Sequence, residues 1–157
     1  MTHSKQTRTI GIAAWCALAK DGPVPPVTIC LEGSSMMPLI RRGKDPVTIA
    51  ALQRPLKIGD VVLLTTGADR YVVHRVWKIS GEKVRTLGDH CVNPDPWITR
   101  DRVLGQAILY SRNNRKHRLD TAAARLWGRV WMAVFPLRKC CIQLKAILRR
   151  YYKKLFH

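Results

Sequence analysis

Acidic side chains are scarce in this sequence. Its 157 residues carry 10 Asp or Glu against 28 Lys or Arg, a formal net charge of +18 at pH 7. Long apolar runs are missing too, since none reaches the roughly 18–20 uncharged residues that a membrane-spanning helix needs. The longest candidate, IGIAAWCALA at 10–19, stops at Lys20-Asp21. Lys5 and Arg8 before it give the outline of a signal peptide, but Lys20, Asp21 and the following prolines spoil a small-residue cleavage site. A short packed helix is therefore expected, in a chain that does not span the membrane. Cys16, Cys30, Cys91, Cys140 and Cys141 form no CxxC and no metal-ligand spacing. An odd, scattered set without a secretory leader points to free thiols in a reducing compartment. The adjacent Cys140-Cys141 reads as two ordinary buried or interfacial thiols, with lipidation or redox activity as the alternative. No internal repeat is present, which excludes a solenoid.

What is present suits one domain with appendages: 46% of the residues are apolar, enough for a single core. Residues 1–26 read as a polar start, a short helix and the linker DGPVPP (21–26), where Pro25 and Pro26 forbid helix. Strand character follows in VTICLE (27–32), DVVLLTT (60–66), RYVVHRVWKI (70–79) and VLGQAILYS (103–111), each rich in Val, Ile, Leu or Thr and bounded by turn formers. EKVRTL (82–87) completes a hairpin with 70–79 across Ser80-Gly81. The expected fold is mainly β (α+β): a small barrel or coiled β-sheet body over 27–112 and a C-terminal amphipathic helical pair over 113–157. Asp120 is the expected N-cap of the first of these helices, which Pro136 ends.

LEGSSMMP (31–38) places two serines where a nucleophile and a polar turn would look alike. A serine hydroxyl attacks only when a base takes its proton. His74 lies mid-strand in YVVHRVW, sharing a face with Val72 and Val76 while Val73 and Arg75 point the other way. An ordinary imidazole, with a pKa near 6.5, is mostly neutral at pH 7 and ready to accept a proton. Asp89 and Asp95, in GDHCVNPDPW, are candidate orienters of that imidazole. The plain alternatives are a packed histidine and turn-forming aspartates.

Taken together, GSSMMP, LKIGDVVLL (56–64), YVVHRVWKISGE, TLGDHCVNPDPW and GQAILYSR (105–112) make residues 27–112 resemble the superfamily that joins type I signal peptidases to LexA-like self-cleaving repressors. The resemblance implies a coiled β-sheet peptidase body. It makes Ser35, directly before Met36, the nucleophile. His74-Arg75-Val76 matches the histidine-base type found in endoplasmic-reticulum and archaeal enzymes, and in that type an aspartate six residues after the Gly-Asp aspartate matters, as Asp95 follows Asp89. Gly33, Ser34 and Met36 then border the oxyanion and substrate site, and no metal or organic cofactor is implied. The expected activity is serine endopeptidase cleavage of a leader or signal-like peptide; the alternative is a non-catalytic or regulatory LexA-like binding protein. Three features depart from the family: Gly33 stands where a serine often aids the oxyanion hole, His90-Cys91 replaces paired asparagines, and a transmembrane anchor is missing. With one donor fewer, the backbone N–H of Ser35, alone or with that of Ser34, must serve; loss of one such donor costs on the order of a hundredfold in rate.

From Arg112 to His157 there are 13 Lys or Arg and one acid, Asp120. Leu126, Trp127, Val130, Trp131 and Val134, then Leu137, Cys141, Leu144, Leu148, Tyr151 and Leu155, recur at helical spacing. Basic residues and Trp127, Trp131, Phe135, Tyr151, Tyr152 and Phe156 over 120–157 suit an anionic membrane surface. The expected location is accordingly cytoplasmic, peripheral at the inner membrane surface. A hairpin packed on the β body is the bland alternative. Nucleic acid is disfavoured, because no reading helix or aromatic platform is recognisable.

Overall fold

The computed structural model describes residues 12–19, 22, 24–66 and 70–155, by backbone alone at 145–146 and 148–155. Residues 12–19 form helix α1. Eight strands follow: β1 Val27–Cys30, β2 Pro46–Ala50, β3 Val61–Thr65, β4 Tyr71–Ser80, β5 Lys83–Leu87, β6 Ile98–Thr99, β7 Val103–Arg112 and β8 Arg115–Arg118. Helices α2 (Ala122–Ala133) and α3 (Phe135–Leu155) come last. The strands make one curled, antiparallel half-barrel sheet in the order β1-β2-β7-β3-β4-β5-β6, with β8 beside β7. The architecture is mainly β, of the α+β class.

Strand β3 shows why the sheet has two faces to bury. Its side chains alternate: Val61 and Leu63 join one core with Met36, Ile40, Val47 and Ile49, while Val62 and Leu64 join another with Leu56, Val76 and Val84. All four β3 residues are at most 1% exposed. Each such burial contributes roughly 1.5–3 kcal/mol.

The sheet extends beyond the strands that the sequence pattern indicates. β2 begins at Pro46, opposite Cys30, and a proline in a run argues against a strand by sequence alone. β8, Arg115–Arg118, is exposed throughout and lacks any apolar alternation. It nevertheless pairs with β7 through a two-residue turn, Asn113-Asn114, with both φ positive. A boundary at 112/113 thus cuts a hairpin. Helix α1 also belongs to the body: Ile12, Trp15 and Cys16, on one helical stripe, are buried in the first core, and Trp15 Nε1 donates to Pro25 O at 2.7 Å.

The cap of α2 is one residue later than expected. Thr121 Oγ1 accepts from Ala124 N at 3.1 Å, whereas Asp120 pairs with Arg118 at 2.7 Å. Pro136 lies in the first turn of α3, where its missing N–H costs nothing, so α2 ends at Ala133. α2 docks on the body through buried Gly128 and Met132, and Trp77 of β4 meets Phe135 at 5.9 Å between ring centroids. Its recurring apolar residues point elsewhere: Leu126, Trp127, Val130 and Val134 are exposed. The side chains of Leu148, Tyr151, Tyr152, Leu155 and Phe156, and of the basic residues among them, lie outside the described residues, as do residues 1–11. Among the described residues, no helix is long and apolar enough to cross a membrane.

Gly59 is where α2 and the body meet most closely. It has φ +97, and a Cβ there would stand 2.6 Å from the carbonyl oxygen of Arg125 in α2. Gly59→Ala is expected to cost about 1–3 kcal/mol through backbone strain and clash, read as a lower urea midpoint by circular dichroism.

Candidate active site

His74 and Arg75 are neighbours on β4 that serve different carboxylates. His74 Nδ1 lies 2.6 Å from Asp95 Oδ2, and both side chains are largely buried. Burial pushes the Asp95 carboxyl up, but hydrogen bonds from His74 and Thr86 and the charge of Arg85 outweigh it, holding the pKa below the ordinary carboxylate value. An ionised carboxylate only accepts, so Nδ1 carries a proton, and in the neutral imidazole the lone pair is then on Nε2. That tautomer is the one a general base requires.

Arg75 instead grips Asp89. Its Nε donates to Oδ1 at 2.9 Å and NH2 to Oδ2 at 2.8 Å, a bidentate pair only 3% and 1% exposed. Arg75 NH1 also donates to Gly59 O at 2.9 Å. Asp89 is therefore not the orienter of His74; it anchors the 88–91 loop, and Asp95 holds the imidazole.

Ser35 is fastened to that same loop. His90 N donates to Ser35 O at 2.7 Å, and Gly88 lets the loop press close: a Cβ on Gly88 would meet Ser35 O at 2.8 Å and Ser35 Cβ at 3.0 Å. Behind Ser35, Met36 is fully buried in the core, while Gly33 and Ser34 are exposed. A turn closes here through Met37 N to Ser34 O at 3.1 Å. Asp45, itself buried, takes hydrogen bonds from Arg41 and Arg112, and Arg112 NH2 also donates to Pro38 O and Leu39 O. The segment after Ser35 is thus tied to β7. Burial would raise the Asp45 pKa, but these two arginines drive it far below the usual carboxylate range.

Beside Ser35 runs a groove of about 330 Å³, lined mainly by apolar residues from β1 and the segment after it, β3 and β4, among them Ile29, Leu31, Leu63 and Val73. It lies along the strand that leads into Ser35. Ser35 Oγ and His74 make no direct hydrogen bond in this structure. Nucleophile–base hydrogen bonds are often long before substrate arrives. Cys91 packs its thiol against Gly88; burial, and next the charge of Asp95, push its pKa up.

Thr86 is the residue that sequence reasoning misses. Fully buried on β5, it donates from Oγ1 to Asp95 Oδ2 at 2.6 Å and accepts Asp95 N at its carbonyl, 2.9 Å. Arg85 Nε holds Asp95 O at 2.8 Å. Only the hairpin register, with Thr86 opposite Val76, brings it there. Among the described residues no cluster of His, Cys, Asp or Glu is arranged to hold a metal ion.

No protein-family model matches the chain, and no curated protein matches it.

The two aspartates are separable by experiment. Asp89→Asn is expected to destabilise the fold by roughly 3–5 kcal/mol, because Arg75 is left buried without its counter-charge. Asp95→Asn should cost far less stability, and urea titration of both variants reads the contrast. Asp45, Asp95 and Asp120 all have depressed folded pKa values and contribute stability above the unfolded value of about 4. That contribution is lost as pH falls through the folded values. Unfolding free energy should therefore fall from pH 5 downward, and Asp45→Asn should flatten the fall.

Proposed function

We propose that the chain is a serine endopeptidase of the signal-peptidase type, with a LexA-like coiled sheet and a histidine base, acting on a leader or signal-like peptide. The observation that carries this reading is the 2.6 Å His74–Asp95 contact on a loop that also holds Ser35 by its carbonyl. In this reading Ser35 Oγ attacks the scissile carbonyl carbon, and His74 Nε2 takes the hydroxyl proton. The Ser35 N–H faces the developing oxyanion. His74 then returns the proton to the departing amine, leaving an ester on Ser35. A water molecule, deprotonated by the same nitrogen, hydrolyses that ester and frees the serine. Asp95 keeps Nδ1 protonated and faces the imidazolium that forms at each transfer. The substrate lies extended beside β1, with small side chains entering the apolar groove near the cut.

Gly33 tests the oxyanion argument, since a side chain at that position meets nothing within 4 Å. Gly33→Ser can thus supply a hydroxyl without a clash, and should raise the cleavage rate, by up to about a hundredfold. Ser35→Ala and His74→Ala should each lower cleavage of leader peptides by at least about a thousandfold with the fold retained. Undiminished cleavage by either variant, followed by mass spectrometry of the products, would remove the assignment.

A further inference from the structure

The two C-terminal helices leave large apolar side chains in solvent. On α2, Leu126, Trp127, Val130 and Val134 fall within one stripe at helical spacing, and Leu126 and Trp127 are each 61% exposed. On α3, Leu137 and Leu144 continue the pattern, at 72% and 54% exposed. The opposite side of α2, with Gly128 and Met132, is the side buried on the body. The stripe is accordingly not the unfinished half of the core. Exposed apolar faces of this size mark an interaction surface.

Charge selects the occupant. Between Thr121 and His157 the sequence has nine Lys or Arg and no Asp or Glu. A second copy would bring an equally basic helix pair against the first, and like charges would oppose the contact. A nucleic acid would neutralise the charge but leave the apolar side chains wet. A bilayer rich in anionic headgroups satisfies both halves, since the apolar stripe enters the acyl boundary while the basic residues stay among the headgroups.

We infer that α2 and α3 form an in-plane anchor for an anionic lipid surface. The anchor adjoins the site already described: burial lowers the Arg138 pKa and the nearby Asp89 charge opposes that, and Lys139 Nζ lies 3.5 Å from Asn93 Oδ1. Lipid binding therefore holds the 88–95 loop beside the membrane, where a leader peptide leaving the bilayer can reach Ser35. The anchor itself does not rest on the peptidase reading.

Sedimentation of the full chain with vesicles tests the inference, using phosphatidylcholine alone and phosphatidylcholine with about 30% phosphatidylglycerol. Each basic residue near the surface adds roughly fivefold in affinity, so the anionic vesicles should bind at least about a hundredfold tighter. Tryptophan emission should shift to the blue on binding. The exposed double variant Leu126→Ser/Trp127→Ser should keep the circular dichroism of the parent and lose at least about tenfold in affinity. Ser35→Ala should bind like the parent, which separates anchoring from catalysis. Equal binding to both vesicle types, or equal binding by the double variant, overturns the inference. So does a dimer that the double variant abolishes, or binding to duplex DNA or RNA without binding to anionic vesicles.

Discussion

The buried Arg75–Asp89 pair is the constraint on which the other parts depend. Arg75 leaves β4 on the face opposite His74 and holds three things at once: the 88–91 loop through Asp89, the turn before β3 through Gly59 O, and α2 through the close packing of Gly128. The loop in turn holds the Ser35 carbonyl through His90 N. Burying such a pair contributes little net stability compared with apolar packing, because desolvation offsets the attraction. Its consequence is specificity of position: with one fork satisfied at each nitrogen, the loop has one place to sit.

In so basic a chain, the few carboxylates are the organising points. Asp45 joins the segment after Ser35 to β7 through Arg41 and Arg112, and Asp60 joins Arg54, Lys57 N and Gln106 beneath the sheet. Asp89 takes Arg75. Asp95 differs, since its partners are an imidazole and a hydroxyl rather than a guanidinium. A guanidinium would stay charged at any working pH, whereas an imidazole can take a proton and release it. Three of these aspartates are thus held by guanidinium groups, whereas the partner of Asp95 is a group able to exchange a proton, as the proposed mechanism requires.

Much of the sheet was legible because β3, β4, β5 and β7 are apolar runs bounded by turn formers. β8 was not, since Arg115–Arg118 is an edge strand held by backbone pairing and leaves no apolar trace. The place of Asp89 and Asp95 downstream of His74 made both candidates, but sequence cannot show how the 88–95 loop folds back, so the division between them emerged only in three dimensions. Thr86 carries no motif at all, and its role comes from hairpin register. Helical spacing likewise revealed a stripe on α2 without revealing that the stripe faces away from the body.

The most direct measurement is covalent labelling of the full chain by an activated phosphonate ester, followed by peptide mapping. A single adduct on Ser35 is expected, formed much more slowly in His74→Ala and not at all in Ser35→Ala. An unlabelled protein, or labelling of Ser35 at the same rate without His74, would contradict the proposed mechanism.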